Sequence, residues 1–185
     1  MAVGTALALG AFAIGLYAFS DGPTFSYSNA PSDVVLFVQS SVPSVGSTTS
    51  ITLYGDGRLE LHRKRWRTGE DRRTSRYLQP HEMRDLLDKV VGYGLAEWDA
   101  TRIAAEQMKQ TGGFAGSVDG TTVTVMLSLT EYGRGSWSTT NLRKTIEYAN
   151  PDTAAESYPS IRELQGLTFL WRYLRDELQR PQEAP

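Results

Sequence analysis

The chain has 185 residues, 40% hydrophobic and 22% charged, with 17 Gly, 8 Pro and no Cys. Such a composition is globular: it excludes collagen-like, mucin-like and wholly disordered chains, and at this length one domain with a sizeable core is expected. The net charge of −2 gives no pull toward nucleic acid, which is not an expected partner, and the lack of cysteine excludes disulfide frameworks, zinc ribbons and thiol redox chemistry.

The first segment, Met1 to Ser20, carries no Asp, Glu, Lys, Arg or His. As a helix, Ala2 to Phe19 would be about 27 Å long at roughly 1.5 Å per residue, just short of a hydrocarbon core near 30 Å. Three readings stay open. An uncleaved single membrane anchor fits the length. A signal peptide fits the small residues Ala18 and Ser20 before Asp21, although the n-region has no Lys or Arg. A buried N-terminal core helix is the third. The first two place the remainder outside the cytoplasm, in a periplasm or cell envelope.

Residues 21–31 (DGPTFSYSNAP) read as a polar linker to a single domain over 32–179, with a flexible tail at 180–185. Extended at about 3.3 Å per residue, such a linker reaches roughly 35 Å, enough to let the hairpin at 63–76 fold back toward a membrane. Val34 to Val38 predicts a buried strand, and the Ser/Gly/Thr-rich 40–50 a loop. Ile51 and Leu53, then Leu59 and Leu61, alternate with polar residues on either side of Gly55-Asp56-Gly57, the pattern of a hairpin. The second strand continues through Trp66 to a turn at Thr68 to Asp71, and a third runs from Arg72 to Leu78.

Pro80, Glu82 and Asp85 open a helix whose residues Met83, Leu86, Leu87, Val90 and Val91 share one face; Gly92 and Gly94 stop it, and Leu95 folds back. Residues 96–110 are ambiguous, with Asp99 able to cap a short helix carrying Ile103, Ala104 and Met108. Gly112 to Gly116 reads as a loop, and it lacks the Lys-Ser/Thr of a phosphate loop. Val123, Val125, Leu127 and Leu129 mark a strand, with a partner around Leu142 to Tyr148. A loop holding Pro151 and Pro159 precedes a helix over Ser160 to Gln179, with Ile161, Leu164, Thr168, Trp171, Leu174 and Leu178 inward. Strand runs joined by short turns, each followed by a one-faced helix, predict an α+β fold: an antiparallel sheet of about five to six strands with two helices packed on one face.

Catalytic chemistry is sparse in this pattern. No G-x-S-x-G elbow is present, and His62 and His81 are the only imidazoles available to a serine nucleophile. They share no short metal-ligand spacing, so no metal or cofactor is expected. Asp85/Asp88 and Glu97/Asp99 read as solvated acids, and Gly55-Asp56-Gly57 lacks the alternating ligands of a calcium loop.

One charge feature stands out. Residues 58–76 hold eight basic and three acidic side chains in an otherwise acidic protein, and Arg63, Lys64, Arg65, Trp66 and Arg67 are followed by Arg72, Arg73 and Arg76. A tryptophan among cations suits an anionic lipid or another envelope partner. The competing reading is a charged hairpin that protects a sheet edge.

The Tyr54–Gly57 hairpin (YGDG), the Leu78-x-x-x-Glu82 helix start, Leu86-Leu87, the Gly94-Leu95 stop and the Asp119–Val123 strand (DGTTV) together resemble small exported bacterial domains of uncharacterised function. The resemblance covers loosely 50–178 and implies an α+β fold and an envelope location, with no catalytic residue. An interaction or structural role in the envelope is therefore expected, the alternative being a small envelope hydrolase with a Ser/His arrangement.

Overall fold

Period-two alternation of apolar and polar residues builds a single antiparallel sheet. The computed structural model describes residues 22–111 and 120–180. Among them the strands are β1 (Thr24–Ser26), β2 (Val34–Val42), β3 (Ser47–Tyr54), β4 (Arg58–Arg65), β5 (Glu70–Tyr77), β6 (Thr122–Arg134) and β7 (Trp137–Ala149). β6 pairs with β7 on one side and with both β2 and β1 on the other; β3, β4 and β5 follow outward from β2. The helices are α1 (Pro80–Gly92), α2 (Ala100–Thr111), α3 (Pro151–Ser157) and α4 (Arg162–Gln179). The antiparallel α+β class is the one the sequence predicts, with one more strand and two more helices.

Register explains the core. Leu127, Leu36, Leu53 and Leu59 lie side by side across four strands, with Val125, Val38, Ile51 and Leu61 in the next row. The α1 residues Met83, Leu86, Leu87 and Val90 join this cluster together with Leu167, Leu170 and Leu174 of α4. Trp171 and Leu178, expected to point inward, are only half-buried; Leu167 and Leu170 are buried in full. A second, smaller cluster joins Ile103 of α2, Ala154 and Ala155 of α3, Tyr158, Ile161 and Leu164. The intervening strand residues Phe37, Gln39, Thr52 and Thr124 face the other side of the sheet and are half-buried.

Local chemistry sets the turns and ends. The β3–β4 turn needs Gly57 at φ +87°, and a Cβ on Gly55 would lie 2.3 Å from the Ser28 carbonyl oxygen. α1 begins with a capping box, in which the Gln79 backbone N–H donates to Glu82 Oε2 at 2.8 Å. That bond holds the Glu82 carboxyl below its ordinary range.

Three expectations are corrected and one ambiguity is resolved. Residues 24–26 are not linker but β1, whose Phe25 is buried in the main core beside Tyr132 of β6; three apolar-poor residues suffice for a strand once β6 supplies the hydrogen bonds. The 40–50 loop is mostly strand: β2 runs to Val42, a 3-10 turn spans Pro43–Val45, and β3 starts at Ser47, with Ser40 and Thr49 paired and buried. Residues 100–111 form a full helix, because Asp99 Oδ1 accepts from the N–H groups of Thr101 and Arg102. The loop before the last helix contains α3, opened by Pro151 after Asn150 in a left-handed conformation. The expected loop at 112–116 and the tail at 181–185 lie outside the described residues.

Candidate functional site

The pleat of β4 and β5 distributes the basic hairpin over two faces. Arg63 and Arg65 share the helix-side face with Leu59 and Leu61, and their cross-strand partners Arg72 and Glu70 lie there too, with Arg76 opposite Leu59. Lys64 and Arg73 point to the opposite face with His62 and Asp71. Trp66 and Arg67 form the tip and lean on Gly46, and the Trp66 N–H donates to the Gly46 carbonyl at 2.9 Å. The eight residues therefore form no single continuous patch.

Ion pairing separates them further. Arg65 Nη1 lies 3.2 Å and Arg63 Nε 3.9 Å from the Glu70 carboxylate. Arg76 holds Glu177 of α4 through two hydrogen bonds, Nε to Oε2 at 3.0 Å and Nη2 to Oε1 at 2.8 Å. Arg72 also has a partner. Among the described residues no ion pair engages Lys64, Arg67 or Arg73, and Trp66 is 59% exposed.

Beside these cations a shallow hollow of ≈ 340 Å³ opens on the face away from the core, lined by Phe37, Ser50, Glu60, His62, Arg73 and Ser75 among others. His62 Nε2 lies 2.8 Å from Asp71 Oδ1, and this hydrogen bond holds the Asp71 carboxyl below its ordinary range. Ser50 sits directly across from His62 on β3. A histidine, a carboxylate and a serine thus come together, yet no described hydrogen bond joins either serine hydroxyl to the imidazole. Ser50 and His62 also lie on strands paired on both sides, so their backbone N–H groups serve the sheet and form no oxyanion hole. His81 is exposed in the first turn of α1.

Long-range polar links that the sequence does not announce tie the layers together. Glu97 accepts from the Tyr132 hydroxyl at 2.6 Å and from Arg134 Nη1 at 2.6 Å, with Arg162 Nη2 at 3.5 Å. Burial, then this hydrogen bond, pushes the Tyr132 hydroxyl far above its ordinary range. Glu163, buried on α4, accepts from Arg102 of α2 at 2.5 Å. A cleft of ≈ 1080 Å³ runs between the helix-side face of β4–β5 and the end of α4, with Leu61, Arg76, Glu177 and Arg180 in its walls. No local spacing signals these pairs, because Arg76 and Glu177 are 101 residues apart.

Among the described residues no helix is long and apolar enough to cross a membrane. The apolar run 1–20 lies outside those residues. Compared with known proteins, the chain matches no family model and no curated protein.

Proposed function

We propose that this protein is an extracytoplasmic interaction module, anchored or exported through residues 1–20, which binds an anionic surface through the tip of the β4–β5 hairpin. The observation that carries this reading is an exposed Trp66 next to Arg67 at the hairpin tip, on a hairpin whose Lys64, Arg67 and Arg73 have no ion pair among the described residues. Glu70 and Glu177 engage Arg63, Arg65 and Arg76; of the three that remain, Lys64 and Arg73 share a face with Asp71, whose carboxyl they help the His62 hydrogen bond to hold down, and Arg67 stands at the tip. Near an anionic membrane each is worth roughly 1 kcal/mol, so together about 3 kcal/mol, fading beyond a Debye length of about 8 Å at physiological salt. Trp66 adds an amphipathic ring suited to the headgroup region. The sequence resemblance to exported domains and the charge-free segment 1–20 support the envelope location.

The test is co-sedimentation of residues 22–185 with anionic and neutral vesicles. That chain keeps every buried apolar residue among those described, from Phe25 to Leu174. Binding is expected to anionic vesicles only, to weaken with salt, and to be lost when Lys64, Arg67 and Arg73 are changed together to Gln. Equal binding to both lipids, or retention by the triple variant, leaves the hairpin as a charged edge alone.

A further inference from the structure

The sheet ends on β5 at one side and on β7 at the other, and the two edges are finished differently. Five of the eight residues of β5 are charged (Glu70, Asp71, Arg72, Arg73 and Arg76), which guards an edge against pairing with another chain. β7 is less guarded. Its stretch from Leu142 to Ala149 has no proline and lies between two left-handed asparagines, Asn141 at φ 53° and Asn150 at φ 52°. Asn141 marks a slip in the alternation: Leu129 and Tyr132 of β6, three apart, are both buried, and the ladder has no pair between Thr130 and Asn141. From Leu142 to Ala149 the ladder is unbroken.

One bond fixes which way the backbone groups of this stretch point. The Asn150 N–H donates to the Thr121 carbonyl at 2.7 Å, one step beyond the Thr122–Ala149 pair. Opposed antiparallel residues alternate between pairs that exchange hydrogen bonds and pairs that do not. Leu142, Lys144, Ile146 and Tyr148 therefore bond to β6, while Arg143, Thr145 and Glu147 turn their N–H and C=O groups to the outer edge. The same alternation sorts the side chains. Ile146 is buried beneath the helices, whereas Arg143, Thr145 and Glu147 are exposed on the opposite face. Among the described residues no strand pairs with this edge, and no ion pair engages Arg143 or Glu147.

From this spacing we infer that β7 pairs with β7 of a second copy of this chain, antiparallel about a two-fold axis at Thr145. Arg143 then stands opposite Glu147 of the partner subunit, Glu147 opposite Arg143 of the partner subunit, and Thr145 opposite Thr145 of the partner subunit. All three positions carry outward backbone groups, which gives about six hydrogen bonds between the chains. On the helix side the half-buried Leu142 comes opposite Tyr148 of the partner subunit. Charge selects this register, because a slip of two residues in either direction breaks both ion pairs. Eight residues a side, 142–149, fall short of the roughly 20–30 of a standard interface, so the dimer exchanges with monomer at micromolar concentration. The two sheets join into one, with a β4–β5 hairpin left open at each outer edge, so the pairing stands apart from the tip-binding reading.

The chain has no cysteine, so single substitutions report the register without background. A hydrogen-bonded antiparallel pair holds its Cα atoms about 5.5 Å apart, within the roughly 4.4–6.8 Å that a disulfide spans. In full-length protein purified in detergent, Thr145→Cys is expected to give a disulfide-linked dimer under mild oxidation. Arg143→Cys alone should not, because its two copies stand about 13 Å apart along the strands, yet mixing it with Glu147→Cys should link the two. Ser75→Cys on the β5 edge should stay unlinked. Sedimentation equilibrium of the cysteine-free chain should show a concentration-dependent dimer. Glu147→Arg should weaken that dimer about tenfold or more, and adding Arg143→Glu to it should restore association. Both side chains are exposed, so these variants should keep the wild-type circular dichroism. A chain that stays monomeric, a dimer indifferent to Glu147→Arg, or Ser75→Cys linking as readily as Thr145→Cys overturns the pairing.

Discussion

The latch between Arg76 and Glu177 should decide whether the basic hairpin stays docked on the body of the protein. Among the described residues β5 is an edge strand that pairs with β4, and Arg76 ties it to Glu177 of α4. The Glu177 side chain is 6% exposed and takes both hydrogen bonds from Arg76, while Arg180, itself largely exposed, adds one contact at 3.1 Å. Arg76→Met keeps the aliphatic stem and removes the guanidinium. Stripping the partner from a buried ion pair costs about 3–5 kcal/mol. Arg180 remains and Arg76 is partly exposed, so about 2–3 kcal/mol is expected here, a fall of about 5–10 °C in Tm for a domain of this size. Replacing both groups, as Arg76→Met with Glu177→Leu, removes the stranded carboxylate and should recover stability to within about 1 kcal/mol of the wild type. Urea melts of the 22–185 chain followed by circular dichroism measure all three. A loss below about 0.5 kcal/mol for Arg76→Met, or a double variant weaker than the single one, would refute this account of the latch.

Two further outcomes follow from burial. Leu87 of α1 and Leu164 of α4 are fully buried in different clusters, so Leu87→Ala and Leu164→Ala should each cost about 2–5 kcal/mol and add nearly independently, as urea melts of the single and double variants will read. Tyr173 is pushed up to about 12, chiefly by burial and then by the Glu177 charge, against 10.0 when free. The folded state therefore holds this proton more tightly than the unfolded chain: the contribution is complete below about pH 10 and disappears as pH rises toward 12. Tyr173→Phe should flatten the stability profile across that window, and an unchanged alkaline slope would contradict it.

The sequence by itself determined the elements whose side chains repeat with a fixed period. α1 was legible because five apolar residues fall on one helical face between Pro80 and a glycine stop, and the Tyr54–Gly57 hairpin because its glycines punctuate two alternating strands. Both depend on neighbours a few residues away. β1 was not legible: Thr24 to Ser26 have no pattern of their own and become a strand only because Glu131 to Gly133, more than a hundred residues later, supply hydrogen bonds and a place for Phe25. The 40–50 segment misled in the same way, since serine and threonine read as loop residues until a sheet pairs them on both sides. The basic cluster was visible as composition, but the pleat and the acids of distant elements decided which of its cations stay unpaired. Glu177 removes Arg76 from the set, Glu70 removes Arg63 and Arg65, and Lys64, Arg67 and Arg73 remain without an ion pair among the described residues. Charge is a property of the residue, whereas its availability depends on what the fold brings within 4 Å of it.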